Sequence, residues 1–154
     1  MDTQTRTPAL GHRPPLLAAA ALLLAVPVAT WWLVGDLSEV PESADPDYLV
    51  RPWQLGALEP VLGALGLTVV LLTGAWLVRR AHRFDQRWWL VWCALLLAGL
   101  VVGFGWRVVT AASIGANIGA GLVLLFGTPF LGVLLLWSVA WSVYLVLRGR
   151  RSAP

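Results

Sequence analysis

The sequence predicts an all-α integral membrane protein, a four-helix transmembrane bundle with both termini in the cytoplasm. Three observations lead to this fold class. Of the 154 residues, 58% are hydrophobic and only 12% are charged, whereas soluble domains carry about 25% charged residues. Long uncharged runs alternate with short polar segments, and each run approaches the ~20 residues that cross a bilayer as a helix. The arginines cluster at the ends of these runs, which is typical of topology signals.

The first span is expected over 16–34, after a polar cytoplasmic tail over 1–15. Its 19 residues are uncharged, and Pro27 is predicted to kink the helix. Trp31 and Trp32 are expected at the outer interface, where indoles prefer to lie. The alternative is a cleaved signal peptide, because the start is basic and the run is rich in Leu and Ala. The run exceeds the roughly 7–15 apolar residues of a signal peptide and no A-x-A site closes it, which favours an uncleaved anchor.

An acidic loop over 35–57 is predicted to lie outside the cell. It contains five acidic residues against a single basic one, and three prolines that prevent a continuous helix. The acidic residues lack the D-x-[DN]-x-[DN]-G spacing of a calcium-binding loop. A solvated loop is therefore favoured over a metal site.

The second and third spans are expected over 60–78 and 88–107, joined by an arginine loop over 79–87. Four cations cannot remain in hydrocarbon, and arginine is retained on the cytoplasmic side. We therefore expect the basic residues of this loop and of the C-terminal tail to fix the topology and to contact anionic lipid headgroups. These residues are Arg79, Arg80, Arg83, Arg87, Arg148, Arg150 and Arg151.

The region from 108 to 147 contains no charged residue. We expect a fourth helix over 118–147, bent at Pro129, and a short cytoplasmic tail over 148–154. The alternative is five spans, with a hairpin turn over 127–129. Five spans would place three C-terminal arginines outside, against the charge rule. Four spans leave nine arginines in the cytoplasm and two outside.

Glu59 and Arg107 are predicted to form a structural ion pair. Each lies 24 residues from Arg83, at the centre of the arginine loop. The two helices that leave the loop are antiparallel, so both side chains are expected at the same height, about 30 Å up the hairpin. A pair would reduce the desolvation cost of both charges. The alternative is that each side chain extends separately to water.

Two GxxxG motifs are predicted to mediate helix packing. They comprise Gly99 with Gly103 and Gly115 with Gly119. Small residues allow close helix approach in lipid, either within the chain or between two copies. The glycine-rich segment around Asn117 is expected to be a turn in which this residue caps the fourth helix. The alternative is an anion or headgroup site made of backbone N–H groups next to Arg107.

An aromatic stripe is formed by Trp137, Trp141 and Tyr144, which share one face of the fourth helix. It is expected to face lipid or the interface, and the alternative is the lining of a substrate path.

The expected function is non-enzymatic. No charged residue lies at the middle of a span, which argues against a proton-coupled transporter or an ion relay built by one chain. The chain has one cysteine, which excludes a CxxC redox pair. All eleven basic residues are arginine, a bias typical of a GC-rich bacterial coding sequence. We expect a small inner-membrane protein that acts as a subunit, anchor or accessory factor through helix association, with no cofactor, no metal and no nucleic acid. The alternative is a homo-oligomeric channel or transporter with its path between chains.

Overall fold

The computed structural model describes residues 13–38, 49–80, 85–112 and 116–151, and all regular structure in these ranges is helical. The helices are α1 over Arg13–Val34, α2 over Leu58–Arg79, α3 over Trp88–Val109, α4 over Ala116–Leu122 and α5 over Thr128–Arg151. A π-helical segment over Val123–Gly127 joins α4 to α5 without a break, and we call these three elements the final helical run. With this run counted once, the described residues form four helices that are long and apolar enough to cross a membrane, as predicted.

The ends of the helices differ from the expected spans by a few residues. α1 begins at Arg13 because Pro14 and Pro15 lie in its first turn, where a missing N–H loses no helical partner. α1 ends before Gly35, whose positive φ of 79° suits a residue without Cβ just after a helix. α5 continues beyond Leu147 to Arg151, so the first residues of the expected tail are helical.

The final helical run is continuous across the position proposed for a hairpin turn. Thr128 has helical dihedral angles, with φ −64° and ψ −50°, so the five-span alternative is not what the structure shows. Pro129 lacks an N–H and its ring collides with the carbonyl four residues earlier. The π-helical segment directly before it accommodates this proline by widening one turn. Asn117 is the second residue of α4, inside the helix rather than at the preceding capping position.

The helices pack in the order α2, α1, α3 and final helical run. α1 packs against both α2 and α3, and α3 also packs against the final helical run. In the described part of the chain, the backbone of α2 packs against neither α3 nor the final helical run. The arrangement is therefore open, with α1 and α3 at its centre. α1 therefore lies between the second and third spans.

Glycines explain why α1 occupies the centre. A Cβ at Gly103 of α3 would lie 2.5 Å from the Pro27 carbonyl oxygen and 2.6 Å from Cβ of Thr30. On the other side, a Cβ at Gly63 of α2 would overlap the Trp32 side chain. Close backbone approach is the main route to helix packing in lipid. Both contacts of α1 therefore depend on glycines of its neighbours.

The predicted packing glycines lie mainly at contacts within the chain. A Cβ at Gly99 would lie 2.6 Å from Cβ of Val26, and one at Gly119 would lie 3.3 Å from Cγ1 of Val108. Gly115 lies outside the described residues.

The main hydrophobic core lies toward the end of the molecule where α2 ends and α3 begins. Trp92 is fully buried there, and its Nε1–H donates to the Pro15 carbonyl oxygen at 3.4 Å. The Trp141 Nε1–H donates to the Arg87 carbonyl oxygen at 3.3 Å, joining α5 to the start of α3. Of the predicted aromatic stripe, Trp141 therefore serves packing, while Trp137 and Tyr144 remain about half exposed.

Candidate functional site: a buried arginine and the cavity beside it

The candidate site lies at the end of the molecule where α1 and α3 end and where α2 and the final helical run begin. We call this the Arg107 end. Arg107 lies in the last turn of α3, and its side chain is only 3% exposed. A buried guanidinium requires compensation by partners of opposite charge or by hydrogen-bond acceptors.

Three groups surround the Arg107 guanidinium. Its Nε–H donates to the Trp31 carbonyl oxygen at 2.8 Å, and its NH2 group bonds to Oε1 of Glu59. Its NH1 group lies 3.7 Å from Oδ1 of Asp36. The guanidinium also lies over the Trp31 ring, 4.4 Å from the centroid, where the ring quadrupole attracts a cation. Arg107 thus contacts α1, the segment after α1 and α2.

The end of α1 makes the Trp31 carbonyl oxygen available. The Gly35 amide donates to the Trp32 carbonyl oxygen at 3.1 Å, one residue later than the regular helical pattern would place it. The Trp31 oxygen accepts from Arg107 instead. A cation is favoured at the C-terminus of a helix and a carboxylate at the N-terminus. Arg107 beside the end of α1 and Glu59 in the first turn of α2 satisfy both preferences.

The structure brings the predicted partners Glu59 and Arg107 together. Their helices do not pack on each other, so the pair bridges α2 and α3 across the end of α1. The prediction missed Asp36 and the Trp31 carbonyl oxygen. A signal for Asp36 was present, because it follows the first span by two residues and so belongs at the same interface. The sequence offered no such signal for the Trp31 carbonyl oxygen, because a pattern of side chains does not indicate which backbone oxygen will accept a hydrogen bond.

Asp36 is held as a carboxylate by its neighbours. The Ser38 hydroxyl and amide donate to its Oδ1 at 2.6 and 2.8 Å. The hydroxyl contributes most to lowering the pKa of Asp36 below its ordinary value of 3.8, the amide and Arg107 lower it further, and partial burial opposes them. Two acidic side chains and one guanidinium therefore give the cluster a formal charge of −1.

A cavity of about 340 Å³ lies beside Arg107. It falls within the ~300–1,000 Å³ range of small-molecule sites. Residues from α1, α2, α3 and the segment before α2 line it: Pro27, Val28, Trp31, Pro52, Trp53, Leu55, Leu62, Val102, Gly103, Trp106 and Arg107. The Trp53 and Trp106 rings lie 5.5 Å apart and are tilted by 54°. No sequence pattern predicted this cavity, because its walls come from segments far apart in the chain.

The arginines predicted to contact headgroups are described only in part. Arg79, Arg87 and Arg148 are exposed, and Arg80 lies over the Trp76 ring at 5.4 Å. Arg148 also donates from NH1 to the Tyr144 hydroxyl at 3.2 Å. Arg83 lies outside the described residues, and so do the side chains of Arg150 and Arg151.

Other polar groups of the described helices bond to backbone. The Thr110 hydroxyl donates to the Trp106 carbonyl oxygen at 2.9 Å, and the buried Ser138 hydroxyl donates to the Leu134 carbonyl oxygen at 2.7 Å. No group of three His, Cys, Asp or Glu side chains is close enough to hold a metal ion among the residues described. The chain matches no protein-family model, no curated protein and no solved structure.

Proposed function

We propose that this chain is a multi-pass protein of a bacterial inner membrane, with both termini in the cytoplasm, that acts without catalysis. It serves as a membrane subunit, anchor or accessory factor through association of its helices with another membrane protein. Its cytoplasmic arginines contact anionic headgroups, and it binds no nucleic acid.

The membrane location and orientation are supported by helix composition and charge. Four helices of the described chain have the length and apolarity to cross a bilayer. With both termini inside, nine arginines lie in the cytoplasm and two, Arg51 and Arg107, lie outside, in agreement with the positive-inside rule. The absence of lysine from the sequence supports a bacterial origin.

The observation that carries the association proposal is the isolation of the final helical run. It packs only on α3 within the described part of the chain, and 6% of its most apolar stretch is buried, against 44% for α3. Gly121 and Gly132 have open space where a Cβ would stand. Glycine lowers helix stability by about 1 kcal/mol relative to alanine, and contacts with the described residues do not explain these two glycines. A partner helix at this face would explain them, because small residues permit close approach in lipid.

A non-catalytic role is supported by how the polar groups are used. The buried guanidinium bonds to a carboxylate and to a carbonyl oxygen, and the hydroxyls of Thr110 and Ser138 bond to backbone. These groups therefore stabilise the helices and their ends.

Photo-cross-linking in native membranes tests the association. A photoreactive residue replaces Leu136, which is 73% exposed on α5, and the matched control replaces Leu72, which is 66% exposed on α2. We expect a protein adduct of one defined mass from position 136 and lipid adducts alone from position 72. Lipid adducts alone from both positions would contradict the proposal. An adduct of two copies of this chain would favour the channel or transporter alternative, which a proteoliposome flux assay then tests.

A further inference from the structure

The cavity beside Arg107 exists because α2 and α3 flank α1 without packing on each other. Leu62 of α2 and Val102 of α3 line it together with Pro27 of α1, and the segment before α2 supplies Trp53. At about 340 Å³, the cavity is smaller than two turns of a transmembrane helix, whose diameter with side chains is about 10–12 Å. Its volume therefore suits a chain-like or small occupant rather than a protein segment.

The lining favours an apolar occupant. Among the described residues, Arg107 is the only charged one that lines the cavity, and its guanidinium is already engaged by Glu59 and the Trp31 carbonyl oxygen. All other lining residues are aliphatic, proline, glycine or tryptophan. Contact with such walls stabilises hydrocarbon in proportion to the area covered, whereas a strongly polar ligand would find few partners.

The depth of the cavity identifies the source of the hydrocarbon. Leu62 lies four residues inside the start of α2, and Pro27 lies seven residues before the end of α1. At 1.5 Å per residue these positions are about 6–10 Å inside the helix ends, where lipid headgroups give way to acyl chains. We infer that the cavity holds one acyl chain of a diacyl phospholipid from the surrounding leaflet. This inference rests on the membrane insertion proposed above, and not on association of the final helical run.

The charges at the Arg107 end determine the lipid selectivity. Arg107 is balanced by Asp36 and Glu59, so an anionic headgroup gains no net attraction there. The indole N–H groups of Trp31, Trp53 and Trp106 donate no hydrogen bond within the described part of the chain, and the ester carbonyl oxygens of a phospholipid are suitable acceptors at this depth. The site therefore selects the acyl chain and its ester, and does not discriminate by headgroup charge.

Native mass spectrometry of the full chain in mild detergent tests the inference. Dioleoyl phosphatidylethanolamine and dioleoyl phosphatidylglycerol are titrated separately. We expect one tightly bound lipid per chain, with dissociation constants for the two lipids within about twofold. Leu62→Trp fills the cavity and should weaken binding about tenfold. Leu65→Trp is the matched control, because Leu65 is exposed on the same helix but does not line the cavity, and it should bind as the unaltered chain does.

A second pair of variants keeps the test independent of folding defects in α2. Val102→Trp fills the cavity from α3, and Leu100→Trp adds the same bulk at an exposed position outside it. Helicity by circular dichroism establishes which variants fold. Three results would overturn the inference. They are an equal loss of lipid affinity in both members of each pair, a strong preference for phosphatidylglycerol, and displacement of the lipid by soluble glycerol phosphate. Cross-linking from position 136 should persist in both cavity variants, which separates failure of this site from failure of the association.

Discussion

At the scale of single residues, Arg107 determines how the helix ends at one side of the molecule are joined. Counting residues from the arginine loop placed Glu59 and Arg107 at one height, and the structure brings their side chains together. The count could not reveal which helix lies between them. It also gave no indication of the Trp31 carbonyl oxygen, because that acceptor depends on how α1 ends at Gly35. Charge positions were thus predictable from sequence, and backbone acceptors were not.

The stabilising role of the Glu59–Arg107 pair is tested by a double-mutant cycle. Arg107→Gln leaves a carboxylate and a carbonyl oxygen without their cation, and we expect a loss of about 3–5 kcal/mol in the free energy of unfolding. Glu59 is partly exposed, so Glu59→Gln should cost less, about 1–3 kcal/mol. The double variant should be more stable than the sum predicts by about 0.5–3 kcal/mol, measured by denaturant titration in mixed micelles.

Asp36→Asn provides the control for that cycle. Its carboxylate lies 3.7 Å from the guanidinium, and the side chain is 43% exposed, so the change should cost no more than about 1 kcal/mol. Strictly additive losses for Glu59→Gln and Arg107→Gln would show that the two side chains contribute separately.

At the scale of helices, the number of spans and their approximate bounds could be predicted from the sequence. Which helices pack against each other could not. Uncharged runs of sufficient length indicate spans whatever their packing. Which helices touch depends on where glycines admit another backbone, and α1 is approached by α2 at Gly63 and by α3 at Gly103. The GxxxG spacing in α3 predicted a packing face, whereas the shorter Gly63-x-x-Gly66 spacing in α2 did not. The bend expected at Pro129 takes the form of a π-helical segment before it, a detail that proline alone does not specify.

Gly103→Ala tests whether glycines hold α3 against α1. The added Cβ would meet the Pro27 carbonyl oxygen and the Trp31 amide nitrogen at 2.5 and 2.8 Å. These are backbone atoms, so the helices must separate, and we expect a loss of about 1–3 kcal/mol in unfolding free energy. Gly74→Ala is the matched control, since nothing lies within 4 Å of its Cβ position. Gly74→Ala should leave the free energy of unfolding unchanged or raise it by up to about 1 kcal/mol, because alanine has the higher helix propensity. Equal effects of the two substitutions would refute close packing at Gly103.

At the scale of the whole molecule, the open order of helices separates two roles. α1 and α3 are the most buried helices and stabilise the centre, whereas α2 and the final helical run expose most of their apolar surface. One gap, between α2 and α3, forms the cavity at the Arg107 end. The opposite side presents the final helical run, which we propose to bind a partner. The orientation in the membrane determines which leaflet contains the cavity, because the Arg107 end faces outward only if the arginine loop lies in the cytoplasm.

Cysteine labelling in intact cells tests this orientation. The native Cys93 is exposed on α3 and is first replaced in Cys93→Ala. In that background, Ser43→Cys in the acidic loop should react with a membrane-impermeant maleimide, because the loop is expected outside. His82→Cys in the arginine loop should react only after the membrane is permeabilised, since its four arginines are expected to keep that loop on the cytoplasmic side. The reverse pattern, with position 82 labelled in intact cells and position 43 protected, would invert the topology and place the cavity in the cytoplasmic leaflet.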